Sequence, residues 1–120
     1  MENHANPIVR LTFNFSLDLI KYTENLEALK KYVISKQLLA SGTSVGANVM
    51  EAQNAESKKD FIHKMKIAAK EILETEYWLY LCEKSEPYPN PGKLLNSASD
   101  IKRVLNKIIS TTLNNISNRK

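Results

Sequence analysis

Cysteine is nearly absent: the 120 residues contain one, Cys82. A lone thiol excludes an internal disulfide and fits a reducing compartment. Glycine and proline are scarce, with three and four copies, and three of the prolines fall between Pro87 and Pro91. So few breakers favour long helices over many short strands. No apolar run approaches the roughly 20 residues that a membrane-crossing helix needs. The opening residues, MENHANP, have neither the basic start nor the apolar stretch of a secretory leader. The expectation is a cytoplasmic protein with no membrane partner. Metal-ligand spacing is also missing. Glu51, Glu71 and Glu74 raise the idea of a di-metal carboxylate bundle, but such sites use Glu-x-x-His pairs and none occurs. The reading is no metal and no cofactor.

What is present fits one globular domain over residues 1–120, because 42% hydrophobic and 25% charged residues is ordinary usage. The net charge of +4 favours an acidic partner such as nucleic acid.

Periodicity divides the chain into four helices, at about 8–28, 32–54, 58–84 and 92–116. Asn6-Pro7 reads as a cap followed by proline at the first helical position. Ile8, Thr12, Phe15, Leu19, Tyr22, Leu26 and Leu29 then recur at steps of three and four, with Phe13, Leu17 and Ile20 widening the stripe. An extended start before Thr12 is the alternative for this first turn. Ser57 with Asp60 resembles a capping box. From there Phe61, Met65, Ala68, Ile72, Leu79 and Cys82 form the next stripe. "EPYPNPG", residues 86–92, is the clearest loop, since proline removes donors and constrains its predecessor. Leu94, Ala98, Ile101, Leu105, Ile108, Thr112 and Ile116 follow, and the tail "SNRK" is expected to fray. Short connections favour antiparallel neighbours, so the expected fold is all-α, an antiparallel up-down four-helix bundle.

"SGTSVGAN", residues 41–48, looks like a loop when read alone. Yet Ile34, Leu38, Val45, Val49 and Ala52 mark one helical face, and Gln37, Ser41, Ser44, Asn48 and Glu51 mark another. Both keep their phase across Gly42 and Gly46, which predicts one unbroken helix. Each interior glycine costs about 1 kcal/mol relative to alanine. Close approach of another helix backbone would offset that cost through dispersion contacts. A phosphate-binding loop is disfavoured, because neither GxxxxGK[ST] nor a preceding strand is present. The polar row either faces solvent or enters a hydrogen-bond network, with Glu71, Glu74 and Trp78 of the third helix as partners. Asn48 with Glu74, and Glu51 with a lysine or amide, are the expected pairs.

The stretch "KQLLASGTSVGANVMEAQNAESKKDFIHKMKIAAKEILETEYWLYLCEK" resembles the four-helix bundle proteins encoded in intervening sequences of bacterial large-subunit ribosomal RNA genes. That family is similar to the accessory protein of diversity-generating retroelements. The likeness rests on residues 36–84, including Gln37, Ser41, Gly42, Ser44, Gly46, Asn48, Glu51, Glu71, Glu74 and Trp78. It implies a protomer that assembles as a ring-like homopentamer; the retroelement relative, similar in being basic, adds nucleic acid and a reverse transcriptase as candidate partners, while the intervening-sequence members have no established activity. One departure is Ala40, where relatives often carry arginine, a loss of one positive charge per subunit.

Lys59, His63, Lys66 and Lys70 stand at steps of four, three and four, opposite the apolar stripe of the third helix, with Lys58 and Lys64 beside them. Lys102, Arg103 and Lys107 add charge on the last helix. Such a stripe suits phosphate contacts, which give affinity without reading sequence. The bland alternative is a solvated lysine face. Tyr77, Trp78, Tyr80 and Tyr88 are candidates for base stacking, with Trp78 and Tyr80 read as packing residues. No catalytic arrangement emerges: His4 lies in a loose end, His63 in a lysine row, and Cys82 on the apolar stripe. The leading expectation is a non-enzymatic, homo-oligomeric protein that binds RNA or DNA. An adaptor docking a reverse transcriptase and a carboxylate metal-binding bundle or enzyme are the competing readings.

Overall fold

The computed structural model describes residues 1–118; Arg119 and Lys120, part of the "SNRK" tail, lie outside the described residues. The described chain consists of α1 (Pro7–Ala28), α2 (Tyr32–Gln53), α3 (Lys58–Lys84) and α4 (Lys93–Ser117), and no strand occurs among these residues. None of these helices is long and apolar enough to cross a membrane.

Local chemistry sets the helix ends. Asn6 Oδ1 accepts from the Ile8 amide at 3.2 Å, and Pro7 has no N–H to satisfy, so α1 starts there rather than after an extended lead. Ser57 Oγ accepts from the Asp60 amide at 3.0 Å, while Asp60 Oδ2 accepts from the Glu56 amide at 3.3 Å. The carboxylate thus reaches one residue further back than in the usual capping box. At the end of α1, the Lys31 amide donates to the Leu26 carbonyl at 2.8 Å, with Lys30 in the left-handed region at φ 63°. This six-to-one closure normally uses glycine, because a Cβ is disfavoured there. Lys30→Gly is therefore expected to stabilise the protein by up to about 1 kcal/mol, read as a raised urea midpoint.

Each helix packs on two neighbours: α2 on α1 and α3, and α4 on α3 and, less extensively, on α1. The diagonal pairs make no close approach among the described residues. A single core joins Phe15, Leu19, Leu38, Val45, Met65, Ile72, Leu79, Ile101 and Leu105, all essentially inaccessible to water. This is a helical bundle in which each helix buries one stripe.

The stripes differ in places from the periodicity. Leu29 is exposed because α1 has already ended at Ala28, and Leu17 and Ile20 lie outward rather than widening the buried face. Tyr22 is half-buried and its hydroxyl donates to the Pro89 carbonyl at 2.6 Å, so it ties α1 to the proline loop. Thr23 takes the fully buried position beside it. In α3, Ile62 is buried and Phe61 only half-buried. In α4, Ile109 is buried and Ile108 only half-buried, while Thr112 and Ile116 are partly open.

Candidate functional site

Gly42 and Gly46 lie inside α2, and the slender stretch they create is occupied by α1 of the same chain. A Cβ on Gly42 would overlap Leu19 Cδ2 and meet Thr75 Cγ2 at 3.5 Å. A Cβ on Gly46 would meet Thr12, side chain and carbonyl alike, at 3.5 Å, an ordinary contact. Gly42 thus faces side chains of both α1 and α3 with no room for a methyl group, whereas Gly46 retains that room.

The polar row of α2 divides by depth. Ser41 is buried and accepts from Thr75 Oγ1 at 2.9 Å, while its own proton points to the Leu38 carbonyl at 3.4 Å. The Glu71 carbonyl, 2.8 Å from Thr75 Oγ1, is the alternative acceptor for that hydroxyl. This is the one place where the row enters the core, and it satisfies its polar atoms as burial requires. Ser44 and Asn48 are half-buried; the Asn48 amide donates to the Ser44 carbonyl at 2.9 Å and to Ser44 Oγ at 3.1 Å. Asn48 does not pair with Glu74. Glu74 Oε2 accepts from Trp78 Nε1 at 3.3 Å instead, so each residue finds a partner one turn away on its own helix. Glu51 does take a lysine: Lys64 Nζ lies 3.0 Å from Glu51 Oε1. Gln37 is exposed and Glu71 and Trp78 are half-buried. From Gln37 to Met50 the helix carries no charged residue, although Gln37, Ala40, Ala47 and Met50 all reach solvent. Glu51, Glu71 and Glu74 are not gathered, and no cluster of three metal-ligating side chains occurs among the described residues.

The basic residues also separate. Lys58, Lys59, His63, Lys66 and Lys70 are exposed, and none forms a salt bridge with a described residue. Lys64 is drawn toward α2 by Glu51. On α4 the expected basic surface is largely neutralised. Lys102 Nζ sits 3.0 Å from Oε1 of Glu76, whose side chain is 7% exposed, and Arg103 pairs with Asp100. A carboxylate this deep requires a counterion, which is why Lys102 turns inward rather than offering itself to a phosphate. Lys107 is exposed, beside a groove lined by Val104, Ile108 and Thr111.

Two features were missed in the sequence. Glu76 lies between Ile72 and Leu79 at helical steps, a position where an acid needs a partner. Tyr80, read as a packing residue, is 53% exposed, as Tyr77 is at 59%. Trp78 and Tyr88 are half-buried, the latter beneath the Lys31 ammonium at 5.2 Å from its ring centre. Burial pushes the Cys82 thiol above its ordinary pKa, an effect that the Tyr22 hydroxyl partly counters. A buried thiol held in its neutral form is a poor nucleophile.

The comparisons place this geometry among known proteins. No curated protein matches the chain. A solved structure from Bacteroides thetaiotaomicron VPI-5482, described as a protein of unknown function from the S23 ribosomal protein family, is 38% identical. The match covers 85% of this chain and 97% of that one, with a TM-score of 0.81. The family model described as 23S rRNA-intervening sequence protein matches residues 5–109. Identity and coverage at this level extend well beyond a shared arrangement of helices, and the chain belongs to the 23S rRNA-intervening sequence protein family.

Proposed function

We propose that this protein is a non-enzymatic, ring-like homo-oligomer, a pentamer as its family resemblance implies, that binds nucleic acid through the outer surface of α3. The observation that carries the reading is the row Lys59, His63, Lys66 and Lys70, exposed and without a salt bridge to any described residue. Lysines tied to carboxylates, such as Lys64 and Lys102, have spent their charge; these have not. Lys58 and Lys107 extend the surface, whereas Lys102 and Arg103 drop out of it. The ribosomal family name of the solved relative makes RNA the first partner to try.

The protomer is an antiparallel up-down bundle. Two pairs support this: Ser41 meets Thr75, and ten residues further along α2, Glu51 meets Lys64, earlier on α3. The charge-free face of α2 supports self-assembly. Phe13 and Ser16 of α1 share a groove there with Thr43, Ala47 and Met50 of α2, and a charge-depleted, partly apolar face of this kind suits the centre of a subunit interface.

Charge reversal tests the binding surface. In fluorescence anisotropy with labelled RNA, Lys59→Glu combined with Lys66→Glu and Lys70→Glu is expected to abolish binding at moderate salt. Milder Lys→Gln changes at the same positions should lower the slope of log K against log salt by about 2–3 per protomer. Affinity that survives the triple reversal sinks the reading. Native mass measurement reads the assembly separately, and a monomer would remove the ring.

A further inference from the structure

The basic row is half of a longer stripe. Beyond Lys70, the same steps of three and four reach Leu73, Tyr77, Tyr80 and Lys84, and every one of these is exposed. The outer face of α3 therefore changes character midway. Its first half presents cations, and its second half presents two tyrosine rings and a leucine before Lys84 ends the row. Leu73 is 56% exposed, so this is not the edge of a core stripe. Glu74 is the one exposed carboxylate of α3 between Lys59 and Tyr80, Asp60 and Glu71 being half-buried and Glu76 buried, and it accepts from the Trp78 indole. Tyr77 stands edge-on to Trp78, with ring centres 5.5 Å apart at 68°. That contact limits how far the Tyr77 ring can wander while it stays open to solvent.

We infer that the ligand is single-stranded nucleic acid, its backbone running along α3 with phosphates on Lys59, Lys66 and Lys70 and unstacked bases on Tyr77 and Tyr80. The inference rests on the reading of the preceding subsection and narrows it. A duplex keeps its base faces stacked internally and exposes only their edges, so the tyrosine rings would have nothing to stack on. A single strand offers both surfaces, and a positive track with aromatic platforms is the general means of holding one. From Lys59 to Lys84 the stripe spans about 37 Å at 1.5 Å per residue, room for several nucleotides. Stacking accepts every base, so affinity should depend little on sequence.

The test uses the full chain with labelled oligo(U), oligo(dT) and a duplex of equal length, about 12 nucleotides each. Both single strands are expected to bind more tightly than the duplex, and the tighter of the two names the strand class. Tyr77→Ala with Tyr80→Ala should weaken single-strand binding by about 30-fold or more while leaving duplex binding and the salt slope unchanged. Tyr77→Phe with Tyr80→Phe keeps the rings and should retain wild-type affinity. Both positions are exposed, so neither pair threatens the fold.

Equal loss with alanine and phenylalanine would overturn stacking. So would unchanged single-strand affinity in the alanine pair, or a fall in its native mass, which would mark the tyrosines as an interface between copies. If charge reversal abolishes binding but tyrosine removal does not, the single-strand assignment falls and the basic surface stands. If no nucleic acid binds, both fall.

Discussion

Replacing Gly42 with alanine is expected to destabilise the protein by up to about 2 kcal/mol, whereas the same change at Gly46 leaves stability unchanged or raises it by up to about 1 kcal/mol. Both substitutions gain the same helix propensity, about 1 kcal/mol, because both glycines lie inside α2. What differs is the space outside the backbone. The Gly42 methyl would overlap Leu19 Cδ2, and Leu19 is fully buried, so the core must move. Overpacking of this kind costs about 1–3 kcal/mol. The Gly46 methyl meets Thr12 at 3.5 Å and displaces nothing.

Urea denaturation of the two single variants gives the comparison, and Leu19→Ala supplies the control. Leu19→Ala alone should cost about 2–5 kcal/mol by opening a cavity. In that background Gly42→Ala no longer clashes, so its effect should change sign and become neutral or stabilising. A Gly42→Ala cost that persists without the Leu19 side chain would show that α2 needs glycine there for another reason.

This contrast also shows how much the sequence can disclose. That α2 continues through both glycines was readable, because Leu38, Val45 and Val49 hold one phase across them and all three are buried. Which neighbour uses the thinness was not readable. Small residues mark a face that something approaches closely, and a helix of the same chain and a helix of another subunit leave the same signature. Width is a second limit. Ile108 and Ile109 are equally apolar, and which of them is buried is set by how α4 is rotated against its neighbours, a fact of packing. The outward positions of Leu17, Ile20 and Tyr80 reflect the same limit, since hydrophobicity permits burial without enforcing it. The lysine row was legible because an exposed stripe depends on one helix only. The pairing of Lys102 was not, because Glu76 becomes its visible partner only once α3 and α4 are placed in space, whereas Asp100 and Arg103, three residues apart on one helix, were readable from spacing alone.

Lys102→Met is expected to destabilise the protein by about 2–3 kcal/mol, well above the effect of removing any lysine from the outer stripe of α3. The reason lies in its partner. Glu76 is 5% exposed and lies beside Ile72 and Leu79, so its carboxylate has little water to turn to once the ammonium 3.0 Å away is gone. Breaking a fully buried pair from one side costs about 3–5 kcal/mol. Here the Lys102 side chain is 35% exposed, which lets solvent share the interaction and places the expected loss below that range. Removing both charges should be milder than removing one. Glu76→Leu with Lys102→Met leaves apolar groups of similar bulk across the α3–α4 contact, and a double-mutant cycle is expected to recover most of the single-variant loss. Lys66→Met, on the exposed stripe, should shift the urea midpoint negligibly, because its charge has no described carboxylate to neutralise. The two lysines thus separate by measurement what their sequence context leaves identical: one cation meets a buried carboxylate across the α3–α4 contact, and the other stands exposed without a described counterion.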